Sequence, residues 1–167
     1  IAVWGTMVFG NDNDTPESFK ESVDFVLKSN LDIMTCGILC PFIHSNLYER
    51  FKGENRIFRN NYPADLKYYT SAHLTYILKK LSLQELIDGF EYIYEKIYST
   101  EVLRERFRNA KSVLNNNNAS MFGFKVNLDW QTVFQHLIDN LKKLRDSGDY
   151  EMALEKYSQT NQVFEIC

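Results

Sequence analysis

The sequence predicts an α/β start that gives way to mainly α structure: a partial parallel βαβ unit followed by a helical C-terminal lobe. Three observations predict it. An apolar run, Ile1 to Phe9, enters an amphipathic stretch through a short acidic turn. A second run, Ile33 to Cys40, is continuously apolar, which suits a strand covered on both faces, as in parallel sheets. Beyond Leu78 no apolar run of strand length separates the helical patterns, so the α/β alternation stops there.

The first strand ends at Phe9-Gly10-Asn11-Asp12-Asn13-Asp14. Thr15 is placed to cap a helix, and Pro16 stands at its first position, where a missing N–H costs nothing. Phe19, Val23, Val26 and Leu27 recur at helical spacing, and the helix is expected to end near Ser29-Asn30. Strand, helix and strand within about 40 residues make one right-handed βαβ unit. In such folds ligands bind at the carboxyl ends of the strands. Asp12, Asp14 and Glu17 stand at that end, as an acid/base group would, although Asp14 and Glu17 also suit an ordinary helix start.

His73 to Leu78 alternates and reads as an edge strand closed by Lys79 and Lys80. Ser82-Leu83-Gln84-Glu85 is a capping box for a helix to about Tyr98, with Leu86, Phe90, Ile93, Tyr94 and Ile97 on one stripe. That stripe either packs a core or, at Phe90 and Tyr94, closes a cavity. Thr100 is expected to cap a helix from Glu101 to Ser112. The run Asn115 to Asn118 reads as a loop and internal boundary. Two more helices follow, about Leu128 to Asp146, ended by Gly148, and Tyr150 to about Gln159.

Charge and cysteine content narrow the function. The 19 Lys+Arg against 22 Asp+Glu advertise no nucleic-acid or membrane surface. No apolar run approaches the roughly 20 residues of a membrane span. The chain opens on Ile1 without a charged leader, so a truncated start and a cytoplasmic protein are expected. Three cysteines make a poor disulfide framework. Cys36 and Cys40, both on the expected second strand, would lie about 13 Å apart and are read as buried structural thiols.

Phe9-Gly10 followed by Asp14-Thr15-Pro16-Glu17-Ser18-Phe19 resembles the fifth strand and following helix of radical S-adenosylmethionine enzymes, closest to the subgroup with a cobalamin-binding domain ahead of the barrel. Pro41 and Leu47-Tyr48-Glu49 match that family's Pro-x-Pro-Gly-Thr-x-Leu-Tyr-Glu segment, with Ile43-His44-Ser45 replacing its Pro-Gly-Thr centre. Leu86-Ile87-Asp88-Gly89 fits its Ser-x-Glu-Glu-Leu-x-x-Gly helix. The resemblance implies that residues 1–80 are the distal part of an incomplete (βα) barrel with its connecting segment, and residues 81–167 a helical extension. It implies S-adenosylmethionine and an iron–sulfur cluster as cofactors, with cobalamin an added option. The cofactor side carries over to Phe9, Gly10, Asn11, Leu39, Cys40 and Pro41. The family's Cys-x-x-x-Cys-x-x-Cys motif is broken, because Ile43 stands at the third cysteine, so no metal ligand or catalytic residue is assigned here. The implied partners are an upstream portion of the same polypeptide and a small-molecule substrate. A helical interaction module is the competing reading.

Overall fold

A computed structural model describes residues 3–29, 31–114 and 117–164. Two strands, β1 (Trp4–Phe9) and β2 (Ile33–Ile38), run parallel in register from Trp4 opposite Ile33 to Phe9 opposite Ile38. Helix α1 (Pro16–Ser29) makes the crossover. The expected βαβ unit is therefore present, as is the helical remainder. Ser18 Oγ accepts from the Thr15 N–H at 3.1 Å, tightening the α1 entry.

After β2 come α2 (Asn46–Gly53), a 3-10 turn (Ala64–Tyr68) and α3 (Leu83–Ile93). Then follow a wide π turn (Tyr94–Tyr98), α4 (Thr100–Leu114), α5 (Asn117–Asp146) and α6 (Asp149–Phe164). The Ser82–Glu85 capping box forms in full. One core joins the sheet to the helices. Phe9 stacks on Phe19 with ring centres 4.5 Å apart, and Phe90 meets both edge-on. Phe134 of α5 extends the aromatic cluster through Phe90 and Tyr98. Phe90 is fully buried, and Tyr94 packs against the core, so the aromatic stripe is packing.

Four expectations about elements are corrected. The second strand stops at Ile38, because the Leu39 N–H makes the last rung to the Phe9 carbonyl and Pro41 has no N–H to continue. His73 to Leu78 is not an edge strand of this sheet. Leu74 to Leu78 is buried throughout, and its one bridge is Tyr76 to Ile57, antiparallel. Ser99, not Thr100, precedes α4, and its carbonyl accepts from the Leu103 N–H at 2.9 Å. Asn117 and Asn118 are helical, so α5 begins eleven positions before Leu128; Asn115 and Asn116 lie outside the described residues, as do Ile1, Ala2, Asn30 and Cys167.

The two edges of the sheet differ. Ladder bonds from the Val3 and Phe9 carbonyls to β2 fix the pairing side of β1, and strand alternation then turns the main-chain groups of Trp4, Thr6 and Val8 outward. The β2 edge is occupied. Asn127 Oδ1 accepts from the Met34 N–H, the Tyr98 hydroxyl donates to the Met34 carbonyl at 2.6 Å, and the Ile38 N–H donates to the Ser71 carbonyl at 2.7 Å.

Candidate functional site at the strand ends

The carboxyl ends of β1 and β2 lie side by side, tied by the 2.8 Å bond from the Leu39 N–H to the Phe9 carbonyl. Phe9, Gly10 and Asn11 thus stand next to Leu39, Cys40 and Pro41. Their availability differs. The Phe9 side chain is buried against Phe19 and Phe90 and faces the core. Asp14 Oδ2 accepts from the N–H groups of Gly10 and Asn11, both at 2.9 Å. The Gly10 carbonyl accepts from the Tyr76 hydroxyl at 2.7 Å, and the Asn11 carbonyl from the Asp14 N–H. The Leu39 carbonyl and Cys40 N–H have no hydrogen-bond partner among the described residues. They are the open donor and acceptor at this mouth.

Gly10 explains why the turn needs glycine. Its φ is +93°, and a Cβ there would stand 2.6 Å from the Tyr76 hydroxyl. Across the next loop, His44 also adopts a left-handed conformation, at φ 67°. Histidine lacks the backbone freedom of the glycine that the Pro-x-Pro-Gly-Thr segment carries at this position. The backbone takes the turn nonetheless, and Ser45 next to it caps α2 by accepting from the Tyr48 N–H at 3.1 Å.

A charged clasp closes one side of the mouth. Arg56 is wholly buried, and its Nη2 donates to Asp12 Oδ1 at 2.7 Å and its Nη1 to Glu54 Oε2 at 2.9 Å. Its Nε donates to the Ile77 carbonyl, and the guanidinium lies 4.1 Å from the centre of the Phe51 ring. Arg50 and Lys79 add charge to the same two carboxylates. Burial pushes the Asp12 carboxyl up, but the hydrogen bond from Arg56 and the charges of Arg56, Lys79 and Arg50 outweigh it and hold the group below its ordinary value. Asp12 is an ionised tie between the β1 loop and the segment around Arg56, and the Asp14 carboxylate closes the turn by accepting from the Gly10 and Asn11 N–H groups. Glu17 pairs with Lys20 in solvent. The three carboxylates therefore do not converge as an acid/base set.

Cysteine chemistry is muted. Cys36 is buried on β2, where loss of solvent pushes its thiol up to about 12; Cys40 lies beyond the strand, half-buried, and is pushed up to about 11 for the same reason. Both thiols are therefore protonated at neutral pH in the structure as it stands. No group of three or more His, Cys, Asp or Glu is placed to hold a metal ion among the described residues. The residues described here do not fit an iron–sulfur cluster. Among them, no helix is long and apolar enough to cross a membrane.

Among curated proteins, bacteriochlorophyllide d C-12(1)-methyltransferase from Chlorobaculum tepidum is 26% identical to this chain over 108 residues. The chain is similar to a methyltransferase. The match takes in 65% of the chain and only 22% of the methyltransferase, so the chain spans about a fifth of that relative's length. No family model and no solved structure matches it.

Arg56 and Tyr76 escaped the sequence reading. Arg56 meets Asp12 across 44 positions and Ile77 across 21, and Tyr76 meets Gly10 across 66. No local spacing encodes such pairs. The nearest signal was an arginine opening onto the apolar Ile57-Phe58.

Proposed function

We propose that this chain supplies the distal strand ends and helical cover of a radical S-adenosylmethionine methyltransferase. Residues 1–80 would be the distal barrel with its connecting segment and residues 81–167 the helical extension. The observation that carries the reading is the likeness over 108 residues to bacteriochlorophyllide d C-12(1)-methyltransferase. The parallel βαβ start and the strand-end motifs support the same class. An upstream portion of the same polypeptide would continue the sheet along the open edge of β1, where Trp4 and Val8 expose apolar side chains. That portion would also carry the cluster ligands, because Cys36 and Cys40 are unsuited to the task.

S-adenosylmethionine would meet this chain at the unpartnered Leu39 carbonyl or the Cys40 N–H, which point to opposite sides of one trans peptide, so that a purine edge would engage one of them. Pro41, Gly10 and Asn11 would line the approach, and the Arg56 clasp would hold the β1 loop in place. When bound, the cluster and S-adenosylmethionine supply the radical chemistry; cobalamin is a further expectation of the subgroup. The chain alone is not catalytic in this reading, and its substrate is a small molecule met in the cytoplasm.

The test uses the natural polypeptide that carries this chain, purified without oxygen and loaded with iron and sulfide. Formation of 5′-deoxyadenosine from S-adenosylmethionine, with transfer of a labelled methyl group, is the expected result. A cluster-loaded polypeptide that neither binds nor cleaves S-adenosylmethionine would overturn the reading.

A further inference from the structure

A cleft of about 250 Å³ opens between the segment after α2 and the junction of α5 with α6. That is just below the roughly 300–1,000 Å³ of ordinary small-molecule sites. Its charge is specific. Arg59 donates through Nη2 to Asp149 at 2.8 Å and lies 4.6 Å from the centre of the Tyr68 ring, which fixes the guanidinium plane. Its other nitrogens have no acceptor among the described residues. Lys143, on the facing wall, has no carboxylate partner among them.

His73 completes the polar side. Its Nδ1 shares a 2.9 Å hydrogen bond with Thr70 Oγ1, and its ring meets Tyr68 edge-on at 5.5 Å. Burial, aided by the Arg59 charge, holds the imidazole below its ordinary 6.5, so it is neutral at pH 7. Two cations and one carboxylate leave the cleft with a single positive charge. Tyr68 and the buried Leu74 and Leu144 give it a flat, apolar side.

We propose that this cleft binds a small organic monoanion, a carboxylate carried on a flat apolar group. The carboxylate sits between Arg59 and Lys143, and the flat group lies against Tyr68 and Leu144. Net charge decides against a phosphate dianion, which one surplus positive charge does not neutralise and which Asp149 repels. The cleft shares no lining residue with the strand ends, so the inference holds or fails independently of the methyltransferase reading.

The experiment is an amide NMR titration of the 167-residue chain with benzoate, with neutral benzamide and with inorganic phosphate. Benzoate is expected to saturate on the order of 1 mM, as a fragment of its size allows, with shifts centred on Leu74, Asn140 and Ser147. Benzamide and phosphate should bind at least about tenfold more weakly. Lys143→Gln, at an exposed position, should weaken benzoate about fivefold with the rest of the spectrum unchanged. Asp149→Asn should tighten it. Equal binding of benzamide, tighter binding of phosphate, indifference to Lys143→Gln, or shifts centred elsewhere would each overturn the proposal.

Discussion

A methyl group on Gly10 would press within 2.6 Å of the Tyr76 hydroxyl, on a backbone at φ +93° that L residues rarely adopt. Gly10→Ala is therefore expected to cost roughly 2–3 kcal/mol, about half from the dihedral and half from the displaced hydrogen bond. Urea unfolding would show it as a lower midpoint at constant slope. In a Tyr76→Phe background the crowding oxygen is gone, and Gly10→Ala should cost about 1 kcal/mol less, a coupling that two unrelated sites would not show. His44 gives the opposite sign. It holds φ 67° with a Cβ, so His44→Gly should stabilise the chain by about 0.5 kcal/mol, relief of strain exceeding the added freedom of the unfolded chain. These positions were unequally legible. Gly10 stood out in its turn, whereas its need for glycine comes from Tyr76, 66 positions away.

At the scale of elements, the clasp between the β1 loop and the segment around Arg56 should be acid-sensitive. Asp12 and Glu54 are both held below their ordinary values of 3.8 and 4.5; burial opposes this, but hydrogen bonds from Arg56 and the nearby Lys79 and Arg56 charges prevail. Groups lowered in the folded state stabilise it fully above their ordinary values and lose that effect as pH falls through the lowered ones. The melting temperature should hold from pH 7 to about 5 and drop below about 4, and Asp12→Asn should flatten that drop while lowering stability at pH 7. Helix α5 offers a second check. Asn127 accepts from the Met34 N–H and donates to the Asp32 carbonyl at 2.7 Å, joining the helix to the rim of the sheet. Asn127→Ala should cost roughly 2 kcal/mol and speed hydrogen exchange at Met34 more than at Phe134.

The helices and strands with strong local signals were the legible ones. Apolar runs and a capping box carry their own geometry, so β1, α1, β2 and the start of α3 followed from spacing alone. The start of α5 did not, because an asparagine run has the composition of a loop, whereas here Asn117 and Asn118 lie within a helix docked on the sheet through Asn127. The His73–Leu78 segment misled for a related reason. Its alternation suggested one covered face, yet Leu74 to Leu78 is buried on every side.

Across the whole molecule, the strand ends, the Arg56 clasp and the helical cover share one hydrophobic core. Destabilising the cover should therefore also loosen the mouth. Tyr98→Phe, which removes the hydroxyl bonded to Met34, tests this: unfolding followed at Tyr and Trp should remain a single transition, about 1–2 kcal/mol weaker. Separate transitions for residues before and after Leu81 would show two independently stable units. Of the candidate site, the sequence revealed which strand ends meet. It could not reveal that the main-chain groups of Gly10 and Asn11 already have partners, since that depends on the side chains that fold back over them.

The unequal edges of the sheet have a consequence for self-association. In the language of polymer chemistry, a strand with two free sides is a bifunctional monomer and can grow without limit. This sheet has one reactive side: the outward groups of Trp4 and Thr6 are available, although Asn11 Nδ2 already donates to the Val8 carbonyl, and Asn127, Tyr98 and Ser71 occupy the other side. It is monofunctional. Two copies joining edge to edge would exhaust their valence in a closed pair, and one copy added to a longer sheet would act as a chain terminator rather than a propagator.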